Sequence, residues 1–391
     1  MADIKARFVS YPSGERRYKF YITGGLQALS IDGSDNFLYL TPAECGSTTE
    51  RGFKIEFSFL QEKLKSIKQE IIGLKEISII DGESHWRWSP YVRRGRVAPE
   101  NNPAYKWNEL SASIERTRGT AYSADIGISA PKEAAKLSDH LANPSDEVLG
   151  LLAQQSSCIA IAIHQMNWAI MTIAEHFYSE LEASLSHGRA EGTKFSSLRD
   201  FDLYAYVHSF FQAYGTARDH YAHFLAIQLD VRFVEKKRRV VKVDSLSALL
   251  GEVDPTILRK ARMIRLLEQS RLIELSSGDK FRVNKRTWLG YLNFLRNRFV
   301  HNSPYGFYEC ESFSELMRSS DDSIVMTLKR YMSGDEGDAS ENPKPCDLLR
   351  TMNGLYRESL HLFWDAAEFT GLAKPPPTIS LIGAKPLDHL S

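Results

Sequence analysis

The residues with the most chemical potential in this chain are Arg296-Asn297-Arg298-Phe299-Val300-His301. An arginine offers a forked, permanently charged donor set that suits phosphate oxygens, and a histidine exchanges a proton near neutral pH. Together they could hold an anion and move a proton. Helical geometry restricts how they do so. Residues advance about 100° each, so an Arg and a His five apart point about 140° away from one another. An unbroken helix cannot bring both to one group. Either the helix ends near His301, for which Asn302-Ser303-Pro304 supplies an ending, or a second copy of the chain brings in the missing partner. Asn297 and His301 are four apart and share a face, where the amide can fix which imidazole nitrogen carries the proton.

The pattern recurs at Arg218-Asp219-His220-Tyr221-Ala222-His223, inside what reads as a continuing helix. With 28 Arg and 11 His in the chain, a bare Arg-x4-His spacing arises by chance about once. Requiring Asn, Asp or His directly after the Arg makes it roughly a one-in-ten event. The set at 296–301 resembles the signature of the HEPN superfamily: Arg, four to six residues, then His, at a helix end within an all-α bundle. The resemblance spans residues 145–372. It implies a metal-independent endoribonuclease with no cofactor, in which the RNA 2′-hydroxyl attacks the adjacent phosphorus and leaves a 2′,3′-cyclic phosphate. On that resemblance the catalytic residues are Arg296, Asn297 and His301. His301 is the general acid or base, Arg296 holds the non-bridging oxygens, and the site forms across a homodimer or higher homo-oligomer. Such proteins are often toxins or anti-phage effectors, which implies RNA as substrate and an antitoxin or phage-derived trigger as partner. Arg218, Asp219 and His223 are a second candidate set, completing the site or orienting His301 from behind. The alternatives are a non-catalytic HEPN-type binding or scaffold module, or an unrelated bundle in which Arg and His only satisfy helix-end carbonyls.

Two further clusters are candidate RNA-binding surfaces. His85-Trp86-Arg87-Trp88, followed by Arg93, Arg94 and Arg96, interleaves aromatics with cations, as does a surface that stacks bases and neutralises phosphate. An Arg-rich loop folded over its own tryptophans explains the same residues. Lys236-Lys237-Arg238-Arg239, between valine-rich flanks, is a candidate hairpin tip for RNA backbone or a solvated turn. His164, His176 and His208 lie along apolar helices and read as core or edge histidines. The four cysteines are far apart and show neither zinc-ligand nor disulfide spacing. No P-loop, Rossmann glycine pattern, GxSxG, HExxH or EF-hand spacing is present.

The elements that must position these residues change character near residue 130. Before it, Arg17–Thr23, Asn36–Leu40, Gly52–Phe59 and Ile77–Ile80 read as strands, with one helix carrying Leu60, Leu64, Ile67 and Ile71. Tyr91–Asn108 reads mostly as loop. After residue 140 the period is helical. Pro144-Ser145-Asp146-Glu147 starts a helix with Leu152, Ile159, Ile163, Met166, Ile170, Ile173, Phe177 and Leu181 on one face, ending at His187-Gly188. Further helices carry Leu203 to Gln228, Trp288 to Phe299 and Leu349 to Phe369, with a shorter one over Pro255–Leu272, and Ser333–Pro345 reads as loop. The expected fold is α+β: an N-terminal β-rich sensor or recruitment domain at 1–130, then an all-α HEPN-like four-helix bundle at 145–372, with an insertion at 231–280 and a tail at 373–391. Hydrophobic residues at 43% and charged residues at 25% exclude a disordered chain, and 49 basic against 49 acidic residues gives no overall bias toward nucleic acid. The longest apolar run, Cys158–Ile163, is far short of a membrane span, and the N-terminus lacks a signal-peptide core, so a cytoplasmic protein is expected.

Overall fold

The structure, a computed structural model, describes residues 7–10, 16–31, 37–41, 51–80, 83–90, 102–125, 145–236, 239–301, 313–318, 325–333 and 345–370. Seven strands form an antiparallel sheet in the N-terminal part: β1 (Arg7–Ser10), β2 (Arg16–Ile22), β3 (Leu26–Ile31), β4 (Phe37–Thr41), β5 (Arg51–Glu56), β6 (Ile71–Ile80) and β7 (Glu83–Pro90), in the order β1-β5-β4-β3-β2-β6-β7. The short helix α1 (Leu60–Ser66) stops earlier than its apolar spacing predicts. Lys68 takes a positive φ of 56° and turns the chain, so Ile71 starts β6 instead of extending α1.

The central element is α3 (Asp146–Ser186), 41 residues and about 60 Å long. Ser145 caps it, its side chain accepting from the Val148 N–H at 3.3 Å, and Asp146 and Glu147 complement the first-turn dipole. Its far end closes at Gly188, φ 67°, with backbone bonds back to Leu185 and Ser184. By length and composition α3 could also cross a membrane. In this fold most of its apolar residues are buried against α2 (Pro103–Asp125), α4 (Asp200–Gln228) and the sheet, while Ile161 and Trp168 are exposed. The closest contact with the sheet is made by the turn Thr23–Gly25 between β2 and β3, with β2, β3, β6 and β7 also packed on the helix. Gly25 has φ 75°, and a Cβ there would stand 2.7 Å from the Phe177 carbonyl oxygen, so only glycine allows this approach.

Residues 103–108 open helix α2, where a loop is expected from the sequence. Asn102 accepts from the Ala104 N–H at 3.0 Å, and the first turns bury Ala104 and Trp107. Trp107 donates to the Phe363 carbonyl of α9 (Leu348–Glu368) at 2.9 Å, and Ser111 donates to the Ala153 carbonyl of α3 at 2.8 Å. A contiguous apolar cluster therefore runs from Phe20 in the sheet to Ala367 in α9.

The region expected to be all-α also contains strands. β8 (Lys194–Phe195), β13 (Phe313–Arg318), β14 (Met326–Ser333) and β15 (Pro345–Asp347) form a four-stranded antiparallel sheet in the order β15-β14-β13-β8. Leu316, Leu328 and Met326 give it an apolar face, and a buried ion pair, Arg330 to Asp200 at 3.0 Å, fastens it to the first turn of α4. The insertion after α4 holds a hairpin, β9 (Phe233–Lys236) and β10 (Arg239–Lys242), then α5 (Leu246–Glu252), α6 (Pro255–Leu258), α7 (Arg262–Gln269) and a second hairpin, β11 (Ile273–Leu275) with β12 (Phe281–Val283). The single helix expected over Pro255–Leu272 is broken at Ala261, whose ψ of 124° is extended. The chain then enters α8 (Trp288–His301).

Candidate functional site at the contact of α4 and α8

Helix α8 packs on α4 through Leu289, Leu292 and Leu295, which are all buried. Asn293 and Arg296 are half-buried on the side of α8 that faces α4, and Asn297 is exposed beside them. Arg296 is half-buried because it lies across α4 at Gly215. A Cβ on Gly215 would stand 2.8 Å from Arg296 Nε and 3.5 Å from its Cζ and Nη2. A glycine in a helix interior costs about 0.5–1 kcal/mol relative to alanine. Here it opens a seat for the guanidinium, which also donates from Nη1 to Asn297 Oδ1 at 3.1 Å. His301 is the last residue of α8, and its side chain lies outside the described residues, as does that of Arg298. Since α8 remains helical through His301, Arg296 and His301 leave the same helix about 140° apart.

The second motif contributes two of its three residues to the same contact. Arg218 is 9% exposed and donates from Nη1 to Asn293 Oδ1 of α8 at 2.6 Å. Its Nε and Nη2 donate to Asp219 Oδ1 at 3.0 and 2.8 Å, and that oxygen also accepts from the Leu246 N–H of α5 at 3.4 Å. Arg218 and Asp219 therefore tie three helices together. Tyr214 lies one turn before Arg218, fully buried, with a hydroxyl that has no hydrogen-bond partner among the described residues. Burial holds its phenol protonated far above the ordinary range, against the opposing fields of Arg218 and Arg296.

His223 is not brought to this contact. Gly215 sits opposite Arg296 and Arg218 opposite Asn293, so α4 and α8 run antiparallel and the two histidines lie toward opposite ends. The rise of a helix places them about 20 Å apart along the axes. Burial lowers the His223 pKa, and the charges that act on it are Lys242, Asp244, His220 and Arg232, in the first hairpin and its surroundings. His220 bonds Gln155 of α3 through Nδ1 at 2.7 Å.

Of the aromatic and cationic cluster in β7, Trp88 is buried, and this corrects its expected role as a base-stacking surface. Strand alternation turns Trp88 inward, where its indole fills the space over Gly73 and donates to the Tyr356 hydroxyl at 3.2 Å. Arg87 points outward and stacks on Tyr105 at 4.8 Å. The Trp86 side chain and Arg93, Arg94 and Arg96 lie outside the described residues. Lys236 and Arg239 do pair across β9 and β10, but their side chains, and all of Lys237 and Arg238, are likewise outside them.

The chain matches no family model, no curated protein and no solved structure. Its own geometry must therefore carry the functional reading. Gly215 and Asn293, which position the two arginines, were not candidates from the sequence. The one available signal was a lone glycine within the apolar stripe of α4, between Tyr214 and Thr216. Among the described residues no group of three or more His, Cys, Asp or Glu side chains is placed to hold a metal ion.

Proposed function

We propose that the protein is a HEPN-like endoribonuclease that cuts RNA by internal attack of the 2′-hydroxyl. The observation that carries this reading is the seat of Arg296 on Gly215, two helical turns after the start of α8 and five residues before a helix-terminal histidine. An arginine held in place by a neighbouring backbone is preorganised for a phosphate and needs little reorganisation when charge develops on it. In the reaction the 2′-oxygen forms a bond to phosphorus and the bond from phosphorus to the 5′-oxygen breaks. One group takes the 2′-hydroxyl proton and another returns a proton to the leaving oxygen. His301 serves in one of these roles, worth typically 10²–10⁴-fold. Arg296 spreads its positive charge over the non-bridging oxygens, and Asn297 orients the imidazole four residues on.

The angular separation of Arg296 and His301 on one continuous helix supports a site completed by a second copy of the chain. In such a dimer the Arg of one protomer meets the His of its partner over one phosphate. A growth-arresting or anti-phage role, in the cytoplasm, follows from the same resemblance. The test is purified protein with end-labelled RNA in EDTA. Cleavage that yields 2′,3′-cyclic phosphate ends supports the reading. Binding without cleavage leaves the non-catalytic scaffold reading instead.

A further inference from the structure

The insertion between α4 and α8 is charged quite unlike the rest of the chain. Residues 231–287 contain 15 of the 49 Lys and Arg but only 7 of the 49 Asp and Glu, a net charge of +8 in a protein whose total is zero. Such segregation works against the fold, because like charges on one module repel. The structure puts much of this charge on the outside. In α7, Met263, Ile264 and Leu267 face the core, while Arg262, Arg265 and Gln269, spaced three and four apart, line the opposite face. In β12, Phe281 points in and Arg282 points out. Lys260 ends the turn after α6, and Lys285 and Arg286 sit exposed on the turn into α8. Of the three acids within 255–287, Glu268 is engaged by Arg259 at 2.6 Å and Glu274 by Arg282 at 2.9 Å. No carboxylate among the described residues pairs with Lys260, Arg265, Lys285 or Arg286.

We infer that this face, built from α6, α7, the β11–β12 hairpin and the turn into α8, is a docking surface for a nucleic-acid phosphodiester backbone. Two features select that occupant. Protein interfaces centre on buried aromatic and aliphatic anchors, and membrane-surface helices insert apolar side chains. Across described residues 255–287, Leu275 is the one large hydrophobic that is exposed, so either partner finds few anchors there. Nucleic-acid interfaces are polar and strongly positive, which is the composition found. The surface leads directly into α8, whose first residue follows Arg286 by two positions. A strand held on it lies on the element that carries Arg296. The inference extends the ribonuclease reading by naming where the polymer is held, and its test reads binding alone.

The experiment is fluorescence anisotropy of the full-length protein with a labelled 30-nucleotide RNA and, separately, the matching DNA, in EDTA and over a range of salt. Three proteins are compared: wild type, a variant carrying Arg265→Ala, Lys285→Ala and Arg286→Ala, and a control carrying Lys65→Ala, Arg116→Ala and Lys194→Ala. The control loses equal charge from exposed positions elsewhere. Each cation on a single strand contributes about 0.7 to the slope of log K against log salt. The insertion variant should lose about 2 from that slope and bind roughly 10- to 100-fold more weakly near 0.15 M salt. The control should behave as wild type. Loss of affinity for both RNA and DNA places the contact on the shared phosphodiester, and loss for RNA alone adds contacts to the 2′-hydroxyl. Absence of nucleic-acid binding by wild type, equal weakening of both variants, or an unchanged insertion variant would overturn the inference. So would a variant that changes only the oligomeric state in light scattering, which would make the surface a contact between copies.

Discussion

Replacing Gly215 by alanine separates the seat of Arg296 from the stability of the helix that forms it. The added Cβ would stand 2.8 Å from Arg296 Nε, whereas non-bonded heavy atoms settle at about 3.5–4.0 Å. The guanidinium must then withdraw by roughly 0.7–1.2 Å, or rotate away from α4. A displacement of about 1 Å in a positioning group costs on the order of 100-fold in rate, so a 10- to 100-fold loss of RNA cleavage is expected. Stability should move the other way. Alanine in a helix interior is favoured over glycine by about 0.5–1 kcal/mol, and the clash is with the far end of a flexible side chain. Melting temperature should therefore hold or rise while turnover falls. The assay is the initial rate on a fluorophore-quencher RNA together with calorimetric melting of the same preparation. Wild-type turnover in Gly215→Ala would refute the claim that this seat presents Arg296 to substrate. A fall in melting temperature that accounts for the lost activity would give Arg296 a packing role only.

Arg218→Ala should destabilise the fold by roughly 2–4 kcal/mol, since it leaves Asp219 and Asn293 without the donor that ties α4, α5 and α8. Chemical denaturation measures this, and a change below about 0.5 kcal/mol would contradict the structural role. His223→Ala should leave the specific activity of folded protein within about twofold, because its ring neighbours the first hairpin some 20 Å from the end of α8. A tenfold loss at unchanged melting temperature would return it to the site. His176 is pushed down to about 4 by burial and then by the Arg199 charge, so the fold favours its neutral ring. The stability this brings is complete above pH about 6.5 and declines as pH falls toward 4, where the unfolded chain binds a proton that the native state refuses. The loss should approach roughly 3 kcal/mol across that window, and His176→Gln should flatten the profile. An unchanged profile in that variant would contradict the assignment.

The sequence made the long helices legible because capping and period agree. Ser145, Asp146 and Glu147 mark the start of α3 and His187-Gly188 its end, and both boundaries hold in the structure. Of the first sheet, β2, β4, β5 and the end of β6 were legible by alternation between turns, whereas β1, β3 and β7 were not. What escaped was structure decided by distant partners. Residues 103–108 hold Pro103 and follow an Arg-rich stretch, yet they become helix because Trp107 finds the Phe363 carbonyl 256 positions away. The four-stranded sheet pairs Phe195 with Ser314, and no local pattern announces so distant a partner. Trp88 looked like a surface residue among arginines, but only the pairing of β6 with β7 shows which face it takes. At the site, the spacing named Arg296 and Arg218 as candidates. The glycine and the asparagine that hold them belong to facing helices, and one chain read in order does not show which residues face each other.

The measurement closest to the central claim is end-group analysis of an RNA cut in EDTA, using one substrate that is all ribose and a second with a single 2′-deoxynucleotide at the main cleavage position. Wild-type protein should cut the first to a 2′,3′-cyclic phosphate and a 5′-hydroxyl, and should spare the modified position in the second, because the attacking nucleophile is missing there. Arg296→Ala and His301→Ala should each abolish the cut while keeping the melting temperature of wild type. Cleavage at the 2′-deoxy position, or undiminished cleavage by either variant, would contradict the account.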